Sequence, residues 1–209
     1  MAAVVNELIS SVLQVVAFAL IPFVFFLFRK DKSVSFLKYI GLHNTTAIAM
    51  RYAVYTSLLF LSTGLVIIFF DDSIRAIVLT PPSVTGKIRT IEAEEVAVIV
   101  ILLVALVKTS LSEEIFFRGF ISKRLINAWG FSIGNTFQAI IFGVVHVVLF
   151  WKLMNAGIVP LVFIFSLSTI GGWVIGLIKE KYGNGSIIPG WIAHGLGNTI
   201  SYFTIVFIL

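Results

Sequence analysis

The chain has 209 residues, 59% of them hydrophobic and 12% charged, with a mean hydropathy of +1.07. Soluble domains carry about 25% charged residues, so a chain this apolar cannot cover itself with polar surface and reads as an integral membrane protein. The sequence has no cysteine, which excludes disulfides, thiolate nucleophiles and Cys-ligated metals, and its net charge of +5 suits basic loops facing anionic lipid better than nucleic acid.

Runs of roughly 20 apolar residues are long enough to cross a bilayer as helices. In chain order such runs fall near 7–28, 50–70, 95–118, 133–151, 158–178 and 187–208. The first lacks a basic leader and stays apolar too long for a cleaved signal peptide, so it is expected to be retained. The connections differ in charge. The first, third and fifth hold Arg29, Lys30, Lys32, Lys38 and Arg51, then Arg118, Lys123 and Arg124, then Lys179 and Lys181. The second and fourth hold only Arg75, Lys87, Arg89 and Lys152. Lys and Arg concentrate on the cytoplasmic side of membrane proteins. The expected fold is therefore all-α: a polytopic transmembrane helix bundle of about six spans with both termini outside. Residues 1–209 are expected to form a single integral membrane domain without repeats.

An ionisable residue inside a span costs ~2.5–3.5 kcal/mol even on the lenient insertion scale, so each one asks for a function. The third span carries Lys108, Glu113, Glu114 and Arg118, the fourth Asn135, Gln138 and His146, and the sixth His194 and Asn198. On an α-helix Glu114 and Arg118 share a face four residues apart, in the order that favours an ion pair. Glu113 points about 100° away and has no cation beside it. One carboxylate is thus expected to be neutralised by Arg118 and to hold the helix end. The other faces elsewhere in the bundle, in the condition a general base near neutral pH requires.

Phe142 lies four residues before His146 on one helix face, and His194 four before Asn198, with Gly195 and Gly197 leaving room for a neighbour. Alone, each pattern also reads as interhelical polar contact, and the Gly172–Gly176 spacing reads as packing. At 1.5 Å per residue, Glu113 lies roughly 16 Å above Arg124 and His194 roughly 12 Å above Ser186. His146 lies roughly 17 Å above Asn135, or roughly 25 Å above Trp129 if the helix starts there. These depths allow one cavity within the membrane, open toward the cytoplasm.

Read together, the motifs resemble those of the CAAX protease and bacteriocin-processing (ABI) family, which includes the type II CAAX prenyl endopeptidases. "EEIFFR" (Glu113 to Arg118) matches its Glu-Glu-x-x-x-Arg, "FGVVH" (Phe142 to His146) its Phe-x-x-x-His, and "HGLGN" (His194 to Asn198) its His-x-x-x-Asn. The resemblance covers about residues 94–209. It implies an intramembrane endopeptidase in which Glu113 activates water with help from His146. His194 and Asn198 would then donate to the oxyanion, with Glu114 and Arg118 as supporting residues and no metal or cofactor. The implied partners are a peptide or lipidated protein substrate and membrane lipids, not nucleic acid, in a bacterial or archaeal plasma membrane.

Two other readings compete. Glu113, His146 and His194 would also make a carboxylate-and-two-histidine zinc set. A non-enzymatic immunity or transport protein is the second, and Lys108, which has no role in the hydrolase reading, speaks for it.

Overall fold

A computed structural model describes residues 2–29 and 33–209. Met1, Lys30, Asp31 and Lys32 lie outside the described residues, two of the counted basic residues among them. The described chain is helical throughout, without strands. It comprises α1 (Ala2–Leu27), α2 (Phe36–Tyr39), α3 (Ala47–Phe70), α4 (Asp72–Leu79), α5 (Val84–Ile88) and α6 (Glu94–Leu102). Two wide, π-helical segments follow, Leu103–Leu111 and Glu114–Ser122, and then α7 (Lys123–Met154), α8 (Ile158–Lys181) and α9 (Ile188–Phe207).

Local chemistry sets the boundaries. The Thr46 hydroxyl accepts from the Ala49 amide at the start of α3, the Asp71 carboxylate from Ile74 at α4, and the Ser83 hydroxyl from Gly86 at α5. Each satisfies an amide that a helix start leaves without a partner. Asn155 ends α7 in the left-handed region at φ 49°, a conformation Asn tolerates.

Apolar side chains cover the outside as well as the inside. Leu13, Leu59, Val162 and Ile170 are each more than half exposed, the pattern expected where the surrounding solvent is hydrocarbon. Four helical stretches are long and apolar enough to cross a membrane: Ala2–Leu27, Ala47–Phe70, Glu94–Met154 and Ile158–Lys181. This differs from the six expected runs for two reasons. Two of the runs lie in the single 61-residue stretch Glu94–Met154, and the sixth is diluted by the glycines, His194 and Asn198 of α9. The long stretch is not straight. At Gly130 the backbone takes φ 76°, ψ 170°, open to glycine at little cost, and beyond it the chain packs back on its own earlier part. The Phe117 and Phe142 rings accordingly meet edge to face at 4.9 Å.

The two ends of the bundle differ. At one, Arg29 and Arg124 stand over the Tyr39 ring, Lys123 donates to the Tyr39 carbonyl, and Lys181 lies over Phe131. The Ile187 amide donates to Gly41 there, tying the start of α9 to the loop before α3. At the other end Ile68, Ile74 and Ile205 form a common cluster that joins α3, α4 and α9.

Candidate active site

Glu113 lies between the two wide helical segments, and the bundle pins that part of the chain from both sides. Gln14 of α1 donates to the Lys108 carbonyl at 2.7 Å, and Trp191 of α9 donates through its indole to the Leu106 carbonyl at 2.7 Å. The Ser110 hydroxyl donates to the carbonyl five residues back, at Ala105, at 2.6 Å. Widened turns of this type re-aim side chains and recur at functional sites. The α-helical spacing expected from the sequence does not hold over Leu103–Leu111 and Glu114–Ser122. The signals available were Thr109, Ser110 and Ser112, whose hydroxyls all turn back onto helix carbonyls.

Glu114 and Arg118 are fully buried and meet at 3.1 Å between Oε1 and Nη1. The guanidinium also lies 4.1 Å above the Phe142 ring, a cation–π contact that gains strength where water is excluded. Phe142 does a second job: its carbonyl lies 2.8 Å from His146 Nδ1. A carbonyl only accepts, so Nδ1 carries the proton, and Nε2 is the nitrogen turned to the site. That Nε2 stands 3.9 Å from Glu113 Oε2. The same carboxylate oxygen is 3.9 Å from His194 Nε2, and His194 Nδ1 is 3.7 Å from Glu114 Oε1. Glu114, Arg118, Phe142, His146, Glu113 and His194 thus close a ring drawn from three helices distant in sequence.

Asn198 stands apart from that ring. One turn beyond His194 on α9, it donates through Nδ2 to Thr109 Oγ1 at 3.1 Å and Ser110 Oγ at 3.4 Å. Asn135 and Gln138 face α8, where they donate to the Trp173 and Gly172 carbonyls at 2.9 Å each. They hold α7 against α8 and do not reach the ring. Gly172 and Gly176 allow that approach, because a side chain at Gly176 would collide with Asn135.

Lys108 has a partner that the sequence did not name. Its Nζ lies 2.7 Å from Glu7 Oε1 on α1. The cation that stood for the transport reading is neutralised within the bundle.

A cavity of about 560 Å³, lined mostly by apolar side chains, holds Glu113, His146, His194 and Asn198 at its inner end. Tyr202, two turns after His194, lines it as well and was not singled out in the sequence. From there the lining runs past Ile68, Val78 and Phe163 to the exposed Pro82, Lys87 and Leu153. The expected opening toward the basic connections is therefore not found: the cavity leads to the end that carries α4 and α5. Depth counting located the residues within the bundle, but only side-chain packing determines which end is filled. Among the described residues no group of three His, Asp or Glu side chains is arranged to hold a metal ion.

Residues 95–200 match the type II CAAX prenyl endopeptidase Rce1-like family. The chain belongs to that family. The matched segment contains the whole ring and Asn198, and family membership carries with it the activity of a membrane protease. No curated protein and no solved structure matches the chain.

Proposed function

We propose that this member of the Rce1-like family is an intramembrane endopeptidase in which Glu113 activates the attacking water. The observation that supports this most is the placement of Glu113 Oε2 at 3.9 Å from two imidazole nitrogens at the inner end of an apolar cavity. His146 Nε2 and the carboxylate are both acceptors, too far apart to bond directly. A water molecule between them satisfies both through its two hydrogens, with bonds of ~2.8 Å meeting at roughly 90°. As its oxygen attacks the scissile carbonyl, Glu113 takes the proton and later delivers it to the leaving amine. His194, across the site, donates to the developing oxyanion. Asn198 joins it by exchanging Thr109 for the substrate oxygen. Glu114 and Arg118 hold the helix and orient His194.

The same proposal includes six crossings, counting both arms of Glu94–Met154 and α9, with both termini outside a bacterial or archaeal plasma membrane. The substrate is a membrane-associated peptide or a prenylated protein tail, whose apolar part suits the cavity walls.

The test is cleavage of a fluorogenic farnesylated CAAX peptide by the detergent-purified protein, with Glu113→Ala and a tight chelator alongside. Cleavage lost in the variant and indifferent to the chelator is the expected result. Cleavage abolished by the chelator and restored by zinc would replace the glutamate mechanism with a metal-dependent one. A wild type that leaves the peptide intact would remove prenylated tails as substrate.

A further inference from the structure

The wide helical segments aim Glu113 at the ring, and α1 braces those segments from behind. Along α1 the positions shielded by the bundle, Val4, Glu7, Ser11, Gln14, Phe18 and Pro22, recur every three or four residues, while Val5, Leu8, Leu13 and Val16 are exposed. One face of the helix therefore turns inward. It meets the chain on both sides of Glu113. Gln14 Nε2 donates to the Lys108 carbonyl at 2.7 Å and to Ser112 Oγ at 3.3 Å, and the Phe18 ring meets Phe116 edge to face at 5.4 Å. Val15 and Ala19 pack on the cluster that contains Ile115. No residue of α1 lines the cavity.

The polar contacts fall where the helix is widened. A π-type turn carries one residue more than an α-turn, so closing it would rotate the side chains beyond it by about 100°. The Lys108 carbonyl lies inside the first wide segment and accepts from both Gln14 and the Ser112 hydroxyl. Ser112 joins that segment to Glu113. A side-chain amide in a membrane span is costly without partners, and the partners Gln14 takes are these two. Gln14 also lies outside the segment that matches the family.

We propose that Gln14 is a positioning residue for Glu113: by occupying the Lys108 carbonyl and the Ser112 hydroxyl, it keeps the wide turn open and the carboxylate directed between His146 and His194. The Glu7–Lys108 pair fastens α1 to the same residue through its side chain and leaves the carbonyl to Gln14. The consequence for turnover rests on the hydrolase reading above, whereas the aim of residue 113 stands on packing alone.

Because the chain lacks cysteine, Glu113→Cys introduces a single thiol. Its rate of reaction with a small methanethiosulfonate reagent, in the detergent-purified protein, reports whether position 113 faces the cavity. Adding Gln14→Met, which keeps the length of the side chain and removes the donor, is expected to slow labelling severalfold, and adding Glu7→Gln to leave it unchanged. Labelling indifferent to Gln14→Met would overturn the inference. Equal slowing by both substitutions would overturn it as well, leaving α1 as a general brace. With Glu113 in place, Gln14→Met is expected to lower kcat for peptide cleavage by about 10–100-fold at an unchanged KM, and an unchanged kcat would count against the inference. A wild type that cleaves nothing would remove the hydrolase reading, and labelling would still decide this one. Gln14→Asn, whose amide stops one methylene short of Lys108, carries the same expectation where Gln14→Met does not fold.

Discussion

Arg118 Nη1 lies 3.1 Å from Glu114 Oε1, with both side chains shielded from solvent. Removing one partner of such a pair strands the other charge, at a cost of about 3–5 kcal/mol, whereas replacing both with apolar groups of similar size is often neutral. Arg118→Ala is expected to lower the thermal midpoint in detergent severely, and the double variant Glu114→Gln, Arg118→Met much less. Equal losses in the two would show that the pair is not what holds the helix.

Gly190 on α9 faces that same carboxylate. A Cβ placed there would fall onto Glu114 Oε2 and stand 2.7 Å from Ile175 Cγ2. The carboxylate is boxed in by Arg118 and His194 and has little room to retreat. Gly190→Ala is expected to destabilise by about 1–3 kcal/mol, the usual range for overpacking. A variant as stable as wild type in thermal unfolding would contradict this packing.

Glu113 should be dispensable for folding and essential for turnover. It makes no close ion pair, and a general base contributes roughly 10²–10⁴-fold to rate. Glu113→Gln keeps the shape and removes the base. Its expected signature is peptide cleavage reduced by that factor at an unchanged thermal midpoint. A variant with near-normal turnover would remove Glu113 from the mechanism.

Lys108 and Glu7 are expected to behave as a structural pair. Both are partly shielded, at 26% and 20% side-chain exposure, between the exposed limit of about 0–1 kcal/mol and the buried limit of about 3–5. Glu7→Gln should therefore cost roughly 1–2 kcal/mol of stability while leaving peptide cleavage intact. A loss of turnover without a loss of stability would instead give the pair a part in proton movement.

The sequence determined more of this protein than its low charge content suggests. Apolar runs gave the helical membrane fold, because hydrocarbon tolerates only backbones that satisfy their own hydrogen bonds. Adjacent carboxylates with one arginine at the right spacing already separated a paired Glu114 from an unpaired Glu113, since a helix direction follows from residue number. The histidines could be nominated for the same reason: polar groups in a span need partners.

What the tertiary structure alone decided is where those groups meet and from where they are reached. The turn at Gly130 brings His146 back beside Glu113, and α9 supplies His194 to both carboxylates. Thr109 and Ser110 hold the Asn198 amide. Lys108 finds Glu7 across 101 residues of chain, and the cavity lining takes no residue from the Tyr39 end of the bundle. None of this follows from spacing, because helical periodicity gives a residue's face and depth on its own helix but not the neighbour that face will meet. That choice is made by side-chain packing among segments far apart in sequence, and it turned the opening toward the α4–α5 end.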